Sequence, residues 1–234
     1  MKLFPWRRSA TIELDDDQRL RLGALQAVRP QGDIAISDGR MVVVDVETTG
    51  LNLAKDIVLS IGAVAIEDGA IDFGQCFECT LRRIATPGAS TLIHGLGPEA
   101  LAQGDAPADA LLAFLEYLGD SPLLAFHADF DRQMLTRALK DDLGYRFEHP
   151  FLDIAELAPV LYPDCVAPRA GLDDWITQFG LSVGQRHHAS ADALVSAELS
   201  LILLKRAERG GQTSYAGLQS ACAAWRRRRA LPGM

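Results

Sequence analysis

No stretch of this chain is long and apolar enough to span a membrane. A span needs about 18 consecutive apolar residues. The nearest approach, Ala189 to Leu204, is interrupted by Ser190, Asp192, Ser196, Glu198 and Ser200. No secretory signal is expected either, because Met1 to Arg8 has basic residues with no apolar run behind them. Cysteine is scarce: four in 234 residues, too few for a disulfide framework in a chain this long. Cys76 and Cys79 have C-x-x-C spacing, but they sit in an alternating stretch where a three-residue offset puts them on opposite faces of a strand. No second cysteine pair completes a zinc site. There is no internal repeat and no long low-complexity segment. A soluble, cytoplasmic globular protein is the expectation, and the 48% apolar content is ordinary for one.

Positive charge is in short supply and unevenly placed. The chain carries 23 basic and 31 acidic residues, a net of −8. Lys2, Arg7 and Arg8 at one end and Arg226 to Arg229 at the other leave only 16 basic against 31 acidic residues between them. An acidic body with basic ends argues against a broad electrostatic grip on duplex nucleic acid, which takes many Lys and Arg contacts. It suits a pocket that recruits divalent metal first and phosphate second.

The length fits one good-sized domain with appendages. Residues 1–40 read as an extension with one helix: Asp15-Asp16-Asp17 starts it, Leu20, Leu22, Leu25 and Val28 follow, and Pro30 and Gly32 break it. The central domain is expected over 41–209. Strands are predicted at Met41–Val46, Ile57–Ile66, Ala70–Leu81 (after an Asp68-Gly69 hairpin turn), Leu123–Phe126 and Phe151–Asp153. Helices are predicted at Pro107–Leu118, Phe130–Leu139, Ile154–Leu161, Leu172–Phe179 and Ser190–Arg209. Three strands in succession, followed by alternating helices and strands, specify an α/β fold with a mixed five-stranded sheet flanked by helices. Residues 210–234 form a basic tail, expected to fray or to await a partner from Ala221 onward.

Several carboxylates stand where apolar residues belong. Strand periodicity puts Val43, Asp45 and Glu47 on one face of the first strand and Val42, Val44 and Val46 on the other. Burying unpaired charge costs several kcal/mol, so something positive must face that strand, whether a Lys or Arg or a metal. Asp192 lies in line with Val195, Leu199 and Ile202 on a helix that is apolar on two sides. Asp131 stands where the fourth strand gives way to a helix, a position that a helix N-cap would also explain. Taken together, carboxylates on neighbouring elements can hold two divalent cations roughly 3.5–4 Å apart for in-line phosphoryl displacement. Oxygen-only ligation suits Mg²⁺ or Mn²⁺ rather than zinc. A histidine near Asp192 would then be a natural general base for the attacking water.

Three segments carry a resemblance. Asp45-Val46-Glu47-Thr48-Thr49-Gly50 resembles the first motif of the DEDD exonucleases. Phe130-Asp131 with Met134-Leu135 resembles the second motif. Arg186-His187-His188-Ala189-Ser190-Ala191-Asp192-Ala193, continued by Ala197-Glu198-Leu199, resembles the third, in its histidine type (DEDDh, DnaQ-like). Ile93-His94-Gly95-Leu96 is similar to a further family feature that contacts the 3′ end of the substrate. The resemblance spans about Met41 to Leu204 and implies a ribonuclease-H-like fold, an exonuclease domain and removal of nucleotides from a 3′ end.

The resemblance also implies roles. Asp45 would bridge two metals, Mg²⁺ or Mn²⁺, while Glu47 and Asp192 would ligate one and Asp131 would support the other. His187, five residues before Asp192, would be the base, and Thr48, Thr49 and His94 would position the terminal nucleotide. The second motif usually reads His-Asn-Ala-x-Phe-Asp and here reads Phe126-His127-Ala128-Asp129-Phe130-Asp131. Asp129 is read as exposed, Asp153 as a cap for the next helix, Asp173 and Asp174 as flanking a helix start, and His149 as a loop residue.

The expected substrate is a single-stranded or frayed 3′ end, DNA favoured by the Thr48-Thr49-Gly50 form of the first motif, with a polymerase or repair partner and no membrane. A ribonuclease or short-oligonucleotide nuclease of the same family is the alternative within the class. A catalytically silent nucleic-acid or polymerase-binding module is the alternative outside it. Gln219-Ser220-Ala221-Cys222 does not resemble a clamp-binding peptide, which leaves an independent enzyme as open as a proofreading subunit.

Overall fold

The computed structural model describes residues 12–30, 34–37, 39–85, 89–165 and 170–230. Met1 to Thr11, Gly32 and the last four residues of the basic tail lie outside the described residues.

The run Met41-Val42-Val43-Val44 makes β1 (Met41–Thr48) a strand buried on both faces, and it is the centre of the sheet. It pairs antiparallel with β2 (Val58–Glu67), with Asp45 opposite Gly62 and a register shift between Glu47 and Thr48. Asp68 and Gly69 both take positive φ, 50° and 70°, as a two-residue primed hairpin turn requires. Beyond that turn the sequence predicts one strand over Ala70–Leu81, but the structure has two, β3 (Ala70–Ile71) and β4 (Phe77–Thr80), both paired to β2. A 3₁₀ turn at Phe73–Gln75 separates them because the Asp72 side chain accepts from the Gly74 N–H and caps it. The sheet therefore has six strands rather than five, and its main order is β3-β2-β1-β5-β6. β5 (Leu123–Ala125) and β6 (Phe151–Asp153) run parallel to β1.

Helices cover both faces. α1 (Asp16–Gly23) is capped by Asp15 and ends at Gly23, so it does not extend to Val28 as the apolar spacing suggests. Two short helices were not foreseen, α2 (Ala89–His94) and α3 (Pro98–Gln103). On one face α4 (Pro107–Leu118) and α5 (Ala128–Leu143) pack against Val42, Val44, Val46, Leu123 and Ala125. On the other, Met41, Val43 and Leu124 are covered by α6 (Ile154–Leu161), α7 (Leu172–Phe179) and α8 (Ala189–Arg209). α9 (Tyr215–Ala230) joins that layer through buried Tyr215, Leu218 and Cys222. The segment expected to fray from Ala221 is thus helical as far as Ala230, anchored by side chains whose helical spacing was not read in the sequence.

Cys76 is exposed and Cys79 buried, and all four cysteines are free thiols. No helix among the described residues is long and apolar enough to cross a membrane.

Candidate active site

The site forms at the end of β1 where its neighbours give out. β5 stops at Ala125, so the Val46 N–H has no strand on that side to receive it, and the Asp131 carboxylate accepts it at 3.2 Å. Asp131 is not the N-cap of α5. That position is His127, and Asp131 lies four residues further on, buried in the first turn. His127 has φ +64°, in the left-handed region where Asn and His are enriched among non-glycine residues. It occupies the place where the resemblance leads one to expect Asn, and the conformation explains why His is tolerated. Its own N–H donates to Asp153 at 3.0 Å, and Asp153 also caps α6 through Ala155 at 2.9 Å.

From the opposite layer, α8 brings Asp192 down onto β1. Ligand atoms of Asp45, Glu47 and Asp192 lie within 4.8 Å of one another. A cleft of about 510 Å³ is lined by Asp45, Asp131, Asp192, His187, Leu51, Phe126, Phe130 and Arg186, among others. Three of the four expected ligands therefore form one cluster. Asp131 faces the same cleft from the other side of β1, held by its bond to Val46.

Crowding like charges out of water should oppose ionisation. Burial, then Asp131, Glu47 and Asp192, push the Asp45 carboxyl well above its ordinary value. Glu47 is pushed up to about 7 by burial and by Asp192. Asp131 is pushed up to about 8, chiefly by burial, against the stabilising bond from Val46. The compensating positive group that sequence reasoning left unnamed is Arg186. Its guanidinium makes an ion pair with Asp192 and another with Asp173 at 2.7 Å. Arg186 was legible only as part of the third motif, and nothing in its spacing announced this role. Oδ1 of Asp192 is the oxygen that faces Arg186.

His187 is exposed at φ +60° on the loop before α8, and its N–H donates to Asp192 Oδ2 at 3.0 Å. His188 occupies the N-cap position of α8, with Nδ1 3.2 Å from Ser190 Oγ and 3.4 Å from Glu78 on β4.

The turn after β1 is tightly braced. Thr48 Oγ1 donates to the Gly50 carbonyl, Thr49 Oγ1 donates to Asp56, and Ser90 of α2 donates to the Thr49 carbonyl, each at 2.8 Å. Thr49 N–H donates to the Ile57 carbonyl at 3.1 Å, so this N–H is taken up within the turn. His94 is buried, with Nδ1 accepting the Leu96 N–H at 3.1 Å. Burial lowers its pKa, and the nearby backbone of Thr48 acts in the opposite direction. Its ring therefore braces the turn from behind instead of offering an open stacking face.

The remaining acids and histidines lie elsewhere. Asp129 is exposed and paired with Arg132. Asp174 accepts from the Gly171 N–H at the start of α7. His149, in the loop before β6, is buried with Nδ1 2.8 Å from the Ser121 carbonyl.

A six-stranded mixed sheet with carboxylates at the end of its central strand, flanked by helices on both faces, is a ribonuclease-H-like exonuclease architecture. Residues 42–200 match the family described as Exonuclease (RNase_T), and the chain belongs to that family. It is 31% identical over 188 residues to a PolC-type DNA polymerase III of Thermotoga maritima, covering 80% of this chain and 13% of that protein. It is 32% identical over 179 residues to a DNA polymerase III subunit epsilon-like protein of Rhodobacter capsulatus, covering 74% and 25% respectively. The chain spans between about an eighth and a quarter of the length of these curated relatives. E. coli exonuclease I in complex with a dA16 oligonucleotide shares the fold, with a TM-score of 0.63 at 16% identity over 73% of this chain and 42% of that one.

Proposed function

We propose that this chain is a metal-dependent 3′–5′ exonuclease that releases nucleoside monophosphates from a single-stranded or frayed 3′ end, preferentially of DNA. The observation that carries this is the gathering of Asp45, Glu47 and Asp192 within 4.8 Å, with Asp131 facing them across the cleft. Their donor set fits divalent cations: carboxylate oxygens alone, crowded enough to hold protons near neutral pH, with a single guanidinium, that of Arg186, paired to Asp192. Asp45, Glu47 and Asp192 would hold one Mg²⁺ or Mn²⁺, and Asp45 with Asp131 a second. When bound, the pair would stabilise charge on the attacking and leaving oxygens of an in-line displacement.

The protein's own groups supply the rest. His187 takes a proton from the attacking water, from a loop tied to Asp192 by its backbone N–H. The braced turn at Thr48 and Thr49, with His94 behind it, fixes where the terminal nucleotide lies. Leu51, 84% exposed at the mouth of the cleft, offers a sequence-tolerant apolar contact to the last base. The DNA polymerase III relatives favour DNA and a polymerase partner, while a ribonuclease or short-oligonucleotide nuclease of the same family would use the same constellation.

The test is digestion of 5′-labelled single-stranded DNA and of matching RNA, with Mg²⁺, Mn²⁺ or chelator. A descending ladder on DNA that vanishes with chelator and in Asp45→Asn is expected. Release of the labelled 5′ nucleotide first, cutting of closed circles, or full activity in chelator would contradict the proposal. Faster digestion of RNA would select the ribonuclease alternative. Binding without hydrolysis under every metal condition would select the non-catalytic module.

A further inference from the structure

α9 runs across the sheet toward the cleft. Its first residue, Tyr215, is fixed at the far edge, where its N–H donates to Ile34 and its hydroxyl donates to the carbonyl of Leu123, the first residue of β5. Gln219 then donates to Phe151 at the start of β6. Seven residues later, Arg226 pairs with Glu156 in the first turn of α6, just past the end of β6. β5 and β6 are parallel to β1, so this is the edge where β1 presents its carboxylates. Sixteen residues of helix, about 24 Å at 1.5 Å per residue, thus deliver Arg226 to Arg229 to the same side of the molecule as the active site.

A groove of about 440 Å³ lies at the Arg226 end of α9. It is lined by Ala128, Asp129, Arg132, Asp153, Glu156 and Arg226, with Phe151. Ala128 and Asp129 belong to the first turn of α5, whose neighbours His127, Phe130 and Asp131 line the cleft. The groove and the cleft are therefore the two sides of one helical turn. Its acids are largely committed: Asp129 to Arg132, Glu156 to Arg226, and Asp153 to the Ala155 and His127 N–H groups.

The basic end of α9 stands out against the rest of the protein. Residues 210–230 carry four arginines and no acid, in a chain of net charge −8. A helix C-terminus gains from one or two cations in its last turn, but that needs neither four in succession nor this position. Arg226 to Arg229 are exposed, and Arg227 and Arg228 make no ion pair among the described residues. Arg229 lies over the Trp225 ring, 4.5 Å from its centre, a flat cation–aromatic surface of the kind on which bases and phosphates both rest.

We infer that the Arg226–Arg229 end of α9 is an accessory binding surface for the sugar-phosphate backbone of the strand whose 3′ end occupies the cleft. The inference rests on the nuclease reading above and extends it: in a chain of net charge −8, four consecutive arginines on the side of the molecule where the cleft opens give a polyanionic strand a second point of attachment, so longer strands are held where short ones are not.

The experiment uses the full chain and its Arg227→Gln/Arg228→Gln double variant. Binding of 5′-fluorescein single strands of 3 to 20 nucleotides, with uncleavable phosphorothioate 3′ linkages, is followed by anisotropy over a salt series. The wild type should bind more tightly as length increases. The variant should lose most of that gain, and its slope of log K against log salt for the 20-mer should be shallower by about 1.4, or about 0.7 per phosphate contact removed. In turnover, the ratio of kcat/KM on a 20-mer to that on a dinucleotide should fall about tenfold. Equal salt slopes and equal length dependence in the two proteins would overturn the inference while leaving the nuclease reading intact, and would leave the arginines to a protein partner. A wild type that neither binds nor cuts any strand would fail the nuclease reading instead, and this inference with it. Circular dichroism of the variant guards against misfolding, and Arg227→Lys/Arg228→Lys, which keeps both charges, should retain most of the length dependence.

Discussion

A Cβ placed on Gly62 would stand 2.1 Å from the carbonyl carbon of Ala189, so these two residues meet backbone against backbone. Gly62 lies opposite Asp45 in the β1–β2 ladder, and Ala189 begins α8. The absence of a side chain at one position of β2 lets the first turn of α8 settle onto the sheet, and that turn carries Asp192 to within 4.8 Å of Asp45 and Glu47.

Gly62→Ala should therefore draw Asp192 away from Asp45 and Glu47. Real Cβ contacts are essentially never shorter than 3.0 Å and both neighbours here are backbone, so the helix start must move. Overpacking of this kind costs about 1–3 kcal/mol. Thermal unfolding should show that loss, and Mn²⁺ titration should show affinity weakened at least tenfold. Unchanged Mn²⁺ affinity in a folded variant would mean that Asp192 tolerates the shift.

Stability of the metal-free protein should fall as pH rises. Glu47 is raised from an ordinary 4.5 to about 7 and Asp131 from 3.8 to about 8. Between those limits the folded state holds protons that the unfolded state has lost, so the derivative of unfolding free energy with pH is negative. His94 and His149, whose pKa values burial lowers, act in the opposite sense as pH falls below the ordinary 6.5. The contribution is therefore read as a difference between the wild type and Glu47→Gln/Asp131→Asn. In chelator, Tm of the wild type relative to that variant should decline from pH 5 to pH 8.5, and Mn²⁺ should abolish the decline. A relative Tm that climbs with pH in chelator would refute the raised carboxyls.

How much of this was legible in the sequence depends on the kind of interaction. The strands and the long helices follow from apolar periodicity; the carboxylates Asp45, Glu47 and Asp192 stood out because they broke it, and Asp131 by its place at a strand-to-helix junction and its likeness to the second motif. Asp153 was correctly read as a cap and Asp129 as exposed. What stayed hidden was carried by tertiary contact. Gly62 looks like any glycine in a strand until α8 is laid on it. Arg186 is one arginine among many until Asp192 and Asp173 converge on it. The helical tail was missed because its burial rests on only three side chains, Tyr215, Leu218 and Cys222, amid small and basic residues. The split of the third strand turned on a single Asp72 cap.

Arg186→Gln should destabilise the metal-free protein more than the metal-loaded one. In the absence of metal the guanidinium is the cation paired with Asp192, and losing one partner of a largely buried pair costs up to about 3 kcal/mol. Bound Mn²⁺ supplies the missing charge, so the Tm gain on adding Mn²⁺ should be larger in the variant and Mn²⁺ affinity should rise. An equal loss of Tm with and without Mn²⁺ would assign Arg186 a plain packing role instead.

The adjacent histidines should separate cleanly. His187 and His188 precede Asp192 by five and four residues, and the backbone turns them apart. His187 takes φ +60° and faces the cleft from the loop, while its N–H holds Asp192 Oδ2. His188 takes φ −126° at the start of α8, and its ring is directed toward Ser190 and Glu78, on the β4 side. A general base has to reach the attacking water, and removing one typically costs about 10²–10⁴ in rate. His187→Ala should fall in that range with Mn²⁺ affinity nearly kept, because the bond to Asp192 comes from the backbone and survives the substitution. His187→Asn, which suits the left-handed conformation as well as His does, should be as inactive as His187→Ala, separating loss of the imidazole from loss of loop shape. His188→Ala removes a contact between helix start and strand and should stay within a few-fold of the parent in kcat. Kinetics on a 5′-labelled strand at matched pH and metal decide the matter. If His188→Ala proved the inactive variant, the base would have to reach the cleft from the β4 side, and the positive φ at His187 would serve only to hold Asp192.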